Sequence, residues 1–98
     1  MFVYVMANKN KTHPTLYASV TNNLTRRIQE HKKGAIKRFT QRYNLHKLIY
    51  YETIEGQEQA IIKKKQIKNM SREEKLQMIK EINSPFKDLY YQLGKTIY

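Results

Sequence analysis

The stretch from residue 17 to residue 31 constrains the fold most strongly, because it changes from strand to helix within a short segment. Its first residues, 17–20 (Tyr-Ala-Ser-Val), are typical of a strand. The Thr-Asn-Asn sequence at 21–23 follows, and these residue types favour the N-cap position of a helix. Leu24 and Ile28 are four residues apart, which indicates the apolar stripe of a helix. We therefore predict a strand, a turn and a helix in close succession.

Two polar side chains border this apolar stripe. Arg27 and His31 are also four residues apart, and on a helical wheel they border or join the stripe. Because a charged group is costly to bury without a partner, their position predicts a pocket between the helix and a sheet. An alternative remains open for Arg27, since long side chains often lie along apolar surface with their charged ends in water.

The preceding residues predict a hairpin. Residues 2–7 form an apolar run in which both alternating sets are apolar, which is typical of a central strand covered on both faces. A short polar loop that ends at Pro14 favours an antiparallel connection to a second strand over 15–20. This connection would place Tyr4 and Tyr17 in neighbouring strands.

The pattern of the whole chain predicts one α+β domain over residues 1–98. Its core covers about residues 2–83, and a C-terminal tail, residues 84–98, packs back on it. The further elements are a helix over 23–33, a short helix or loop with a basic face over 35–43, a strand over 45–52, a helix over 57–70, and a helix from the capping box at 71–74 to Pro85.

The charge of the chain favours a polyanionic partner. The formal net charge is +11, from 19 Lys and Arg against 8 Asp and Glu. Such an excess indicates nucleic acid first and acidic membrane surfaces second. The basic residues spread from Lys9 to Lys95, so the charge belongs to the folded surface. The alternative is a generally basic soluble protein.

The absence of cysteine excludes disulfides and thiolate metal sites. The N-terminal residues resemble neither a signal peptide nor a membrane span. We therefore expect a cytoplasmic protein that does not bind membranes.

An ordered set of residues carries a family resemblance. The set consists of Phe2-Val3-Tyr4, then Tyr17-Ala18-Ser19, then Arg27 and His31. Together with shorter segments as far as Leu89, it resembles the GIY-YIG endonuclease superfamily, and most closely its small single-domain bacterial-type members. The resemblance implies a three-stranded antiparallel sheet flanked by helices. One departure is Ser19, which stands where the second motif ends in glycine.

The resemblance also implies catalytic roles for Tyr4, Tyr17, Arg27 and His31 in the hydrolysis of a phosphodiester. Active members hold one divalent cation with a glutamate from a later helix, and Lys64 stands at that position here. A lysine ammonium has no lone pair for a cation and repels it. We therefore predict no metal ligand and expect no cofactor, except Mg²⁺ or Mn²⁺ if the nuclease is active.

Three hypotheses follow from these residues. The first is a nucleic-acid-binding protein with impaired catalysis, in which Lys64 joins the other site residues in the place of the cation. The second is an active, metal-dependent DNA endonuclease, with the cation held by another group such as Glu52 or by the substrate. The third is a protein-interaction module with a basic surface. The favoured partner is nucleic acid, DNA rather than RNA, and the residues predicted to bind it are Arg26, Lys32, Lys33, Lys37, Arg38, Arg42, Lys64 and Lys68.

Overall fold

Three strands form one antiparallel sheet in the order β2-β1-β3. The computed structural model describes residues 1–8, 14–33 and 45–93. In it, β1 spans Phe2–Ala7, β2 spans Leu16–Thr21 and β3 spans Lys47–Thr53. β1 pairs with both neighbours, and its residues from Val3 onward are buried. This confirms the predicted α+β fold and explains why both alternating sets of β1 are apolar.

Among the described residues, three helices and one short 3-10 helix accompany the sheet. α1 spans Leu24–Lys32, α2 spans Gln57–Asn69, α3 spans Arg72–Asn83, and the 3-10 helix spans Leu89–Gln92. Asn23 caps α1, because its side chain accepts a hydrogen bond from the Arg26 backbone N–H at 3.1 Å. Ser71 and Glu74 form a reciprocal capping box at the start of α3. The short helix or loop predicted over 35–43 lies outside the described residues.

The helices pack on opposite faces of the sheet. One apolar layer joins β1 to α2 and α3, and its buried residues include Val3, Val5, Ala18, Ala60, Ile67 and Ile79. The other layer joins β1 to α1, and its buried residues include Tyr4, Met6, Leu24, Ile28 and Leu48. α2 lies over β2 and β1, on the face of the sheet opposite α1.

β3 contains a β-bulge. Tyr50 stands opposite Val5 and Leu48 stands opposite Met6, so Ile49 has no partner in the register. As a result, Ile49 and Tyr50 both contribute to the layer under α2 and α3, while Leu48 contributes to the layer under α1.

The side chain of the buried Asn83 forms hydrogen bonds that hold the segment following α3 against β3. The Asn83 Nδ2 donates to the Ile49 and Lys87 carbonyl oxygens, each at 2.9 Å, and its Oδ1 accepts from the Lys87 backbone N–H at 3.1 Å. Beyond this point Leu89, Tyr90 and Leu93 pack against the α1 layer. The remainder of the predicted tail, residues 94–98, lies outside the described residues. Within the described part of the chain, no helix is long and apolar enough to span a membrane.

Candidate functional site

A buried hydrogen bond between Tyr4 and His31 forms the centre of the site. Tyr4 lies in β1, and His31 lies in the last turn of α1. The Tyr4 hydroxyl oxygen is 3.0 Å from His31 Nε2. Tyr4 is 1% exposed and His31 is 3% exposed. Polar groups this deeply buried need partners, and here each supplies a partner to the other.

Tyr17 and Arg27 lie beside this pair. The Tyr17 ring meets the His31 ring edge to face, with the ring centroids 6.0 Å apart. Arg27 is one helical turn before His31 and is half-buried. Its charge acts on both Tyr4 and His31, and its Nε is 3.8 Å from Glu30 Oε1. The fold therefore brings the four residues predicted as catalytic into one group, which we call the Tyr4–His31 cluster.

The central pair is neutral near pH 7. Burial, partly offset by a hydrogen bond with the Ser19 side chain, raises the pKa of Tyr4 to about 12. Burial, together with electrostatic repulsion from Arg27 and His46, lowers the pKa of His31 to about 4. An imidazolium needs an acceptor at each ring nitrogen, whereas His31 Nδ1 is buried and has no hydrogen-bond partner among the described residues. Both members of the pair are therefore uncharged near pH 7, and their surroundings oppose the ionisation of either.

The ammonium of Lys64, which was predicted as the fifth group of the site, does not interact with the Tyr4–His31 cluster. Lys64 is half-buried on α2, the helix that packs on the other face of the sheet from α1. Within the described residues, its ammonium has no hydrogen bond and no ion pair.

Glu52 does not replace the missing carboxylate at the cluster. Its Oε2 accepts a hydrogen bond from the Tyr50 hydroxyl at 2.7 Å and lies 3.9 Å from Lys63 Nζ. Tyr50 belongs to the layer under α2 and α3, so Glu52 is engaged on that side of the sheet. The hypothesis that Glu52 holds a cation beside Tyr4 is therefore not supported. Among residues 1–8, 14–33 and 45–93, no three His, Asp or Glu side chains are grouped so that they could hold a metal ion.

The basic residues predicted to bind nucleic acid have different environments. Arg26 and Lys33 are exposed on α1 and at its C-cap, and Lys68 is exposed on α2. Three further predicted residues, Lys37, Arg38 and Arg42, lie outside the described residues.

Lys32 has internal partners instead. Its ammonium forms an ion pair with Asp88, donates to the His46 carbonyl oxygen at 2.8 Å, and lies 5.2 Å and 5.1 Å from the ring centroids of Tyr90 and Tyr91. Asp88 in turn accepts from the backbone N–H groups of Leu48 and Tyr90. This network joins the end of α1 to the C-terminal segment, and it argues against the prediction that Lys32 binds a phosphate.

Two residues beside the cluster were not among the predicted site residues. Ser19 is the cross-strand partner of Tyr4. The predicted hairpin, given the observed register, is therefore enough to place Ser19 beside the cluster. Glu30 is three residues after Arg27 on α1, and this spacing brings side chains together on a helix. Glu30 thus supplies a carboxylate on the cluster side of the sheet, where it pairs with Arg27.

Family models and curated proteins resemble this chain over most of its length. A model described as the GIY-YIG catalytic domain matches residues 1–84. This chain belongs to the GIY-YIG family. The same chain is 35% identical to a UPF0213 protein of Clostridium perfringens over 78 residues, which cover 80% of this chain and 81% of that protein. It is 36% identical to a UPF0213 protein of Syntrophus aciditrophicus over 81 residues, which cover 82% of this chain and 90% of that protein. No solved structure matches this GIY-YIG chain at a significant level.

Proposed function

We propose that this GIY-YIG protein binds nucleic acid, DNA rather than RNA, and that Lys64 impairs metal-dependent hydrolysis. Family membership supports a nuclease-like function related to nucleic acid. The observation that carries the proposal is the combination of an assembled Tyr4–His31 cluster with a lysine at the position of the metal-binding glutamate.

The α1 side of the sheet offers cations to a phosphate backbone. Arg27 lies beside the cluster, and Arg26 and Lys33 are exposed on the same helix. Guanidinium groups suit bidentate contact with phosphate oxygens. The net charge of +11 adds long-range attraction for a polyanion. We therefore expect the phosphate chain to lie along α1, with Arg27 contacting the phosphate nearest to the cluster.

Hydrolysis of that phosphate needs more than this arrangement supplies. Arg27 can stabilise negative charge on the phosphate, but the lowered pKa of His31 makes its imidazole a weak base for a proton relayed by the Tyr4 hydroxyl. In active relatives a divalent cation neutralises the charge that develops during hydrolysis. Lys64 does not fit such a cation, because its ammonium is itself positive and has no lone pair. It can instead act as a point charge for a phosphate.

A cleavage assay on matched variants tests this proposal. Native protein, Lys64→Glu and Lys65→Glu are incubated with labelled plain, nicked and branched duplex DNA in the presence of Mg²⁺ or Mn²⁺. Lys65 is the exposed neighbour of Lys64 on α2, so its variant makes the same change in net charge. We expect cleavage only with Lys64→Glu, and we expect Arg27→Ala in that background to abolish it.

Binding is measured on the same DNA at several salt concentrations. Each phosphate contact lowers the slope of log K against log salt by about 0.9 for duplex DNA, so we expect affinity to fall steeply between low and physiological salt. Cleavage by the native protein that is lost in Arg27→Ala would establish an active endonuclease instead. Affinity independent of salt would contradict nucleic-acid binding, and pull-down of a protein partner after nuclease treatment would then favour an interaction module.

A further inference from the structure

A cavity of about 270 Å³ lies between β2 and the two helices on the face opposite α1. Its walls are mainly aliphatic. Val5 and Ala18 contribute from the sheet, and Ile67 and Ile79 contribute from α2 and α3. Two cations, Lys68 and Lys75, also line it, together with Leu16 and Tyr17.

The chemistry of the cavity indicates an occupant with an apolar body and attached anions. The aliphatic walls cannot satisfy a buried charge, so the part that enters must be uncharged, with apolar faces against the walls and its polar edge toward the mouth. Lys68 is exposed and Lys75 is half-buried, which leaves their ammonium groups able to meet anions near the mouth. The volume is just below the range of about 300–1,000 Å³ typical of sites for drug-sized ligands. One small aromatic group is therefore a suitable size.

Tyr17 connects this cavity to the Tyr4–His31 cluster. It lines the cavity, and its ring also contacts His31. Because β2 is an edge strand, the cavity and the cluster lie on opposite faces of the sheet at the same edge. A nucleic-acid chain that places a phosphate at the cluster would reach the cavity by crossing this edge.

We propose that this cavity takes the base of one unpaired nucleotide, with neighbouring phosphates on Lys68 and Lys75. The inference rests on the proposed nucleic-acid binding and adds a class of substrate to it. A base within a duplex is stacked and paired and cannot enter a pocket without being extruded, whereas an unpaired base is extruded at little cost. The protein accordingly prefers nucleic acid that contains a bulged or flapped nucleotide over a fully paired duplex.

The test compares three duplexes that differ at one position. The first is fully paired, the second carries one extra unpaired adenine, and the third carries an extra abasic site in place of that adenine. Burying the faces of the base against the aliphatic walls is favourable in proportion to the area removed from water, so we expect the native protein to bind the second duplex at least about fivefold more tightly than the first. The abasic duplex bends in the same way as the adenine duplex but has no base at that position. It should therefore bind only as tightly as the paired duplex.

Variants of the cavity provide an independent readout. Ala18→Leu fills the cavity and should abolish the preference while salt-dependent binding of the paired duplex remains. Lys75→Gln should reduce the preference without filling the core, and it is informative even if Ala18→Leu fails to fold. Lys80→Gln makes the same charge change on α3 at an exposed residue outside the cavity walls, and it should retain the preference.

The outcomes separate this inference from the proposed function. Equal, salt-dependent binding of all three duplexes would overturn the base pocket and leave nucleic-acid binding intact. Equally tight binding of the abasic and adenine duplexes would also overturn it, because flexibility rather than the base would then decide affinity. Binding of none of the duplexes would overturn both proposals.

Discussion

Acid should destabilise this protein through His31 in particular. As the pH falls below 6.5, the ordinary pKa of histidine, the unfolded chain takes up a proton at residue 31. The folded chain resists protonation until about pH 4, because His31 is buried beside Arg27. The unfolded state therefore binds more protons between these values, and the free energy of unfolding falls as the pH falls. The stabilisation is fully present above pH 6.5.

The expected loss follows from the two pKa values. Between about pH 7.5 and about pH 5, linkage gives a loss of about 2 kcal/mol from this one group. Small domains have unfolding free energies of only about 5–15 kcal/mol, so the effect is easily measured. Urea denaturation followed by far-UV circular dichroism gives the free energy at each pH, since the chain has no tryptophan to report on unfolding.

His31→Gln is the matched variant. Glutamine is neutral at every pH in this range and can still accept a hydrogen bond from Tyr4, so the variant should lose about 2 kcal/mol less than the native protein over the same interval. A titration of the His31 ring by NMR should show a midpoint near pH 4. Equal pH dependence in both proteins, or a ring midpoint near 6.5, would refute the reasoning.

Two further predictions concern the C-terminal segment. Asn83→Ala should lower the free energy of unfolding by about 2 kcal/mol, because it leaves buried backbone groups unpaired. Urea denaturation should show a much smaller change for Asn69→Ala, at an exposed residue. Equal changes in the two variants would contradict the role of Asn83 in holding the C-terminal segment. Lys32→Met should cost about 1–3 kcal/mol by leaving Asp88 without its cation, yet weaken DNA binding less than Lys33→Gln does. Unchanged stability with a larger loss of affinity would mean that Lys32 binds the phosphate after all.

Local patterns were sufficient to predict most of the architecture. Both alternating sets of residues in β1 are apolar, which indicates that the strand is central. The cap at Asn23 and the capping box at Ser71 mark where two helices begin. The bulge at Ile49 was not predicted, because the apolar run around it offers no sign of which residue lacks a partner. Tertiary pairing with β1 decides that point.

The site was predictable to the extent that it depends on short spacings. Arg27 and His31 share a helix face, and the hairpin brings Tyr4 beside the strand that holds Tyr17. The role of Lys32 could not be derived in this way, because its partner Asp88 is 56 residues away. The position of Lys64 also needed the structure, since its own helix does not reveal which face of the sheet that helix covers.

The unpaired residue in β3 has a consequence for insertions and deletions. Removing Ile49 would let the hydrogen-bond ladder run without interruption and would keep Leu48 opposite Met6 and Tyr50 opposite Val5, each on its present side of the sheet. The cost would be the loss of the Ile49 side chain from the layer under α2 and α3. A one-residue deletion or insertion elsewhere in β3 would instead move the residues on one side of it to the opposite face of the sheet. Variation in the length of this strand among related chains should therefore concentrate at Ile49.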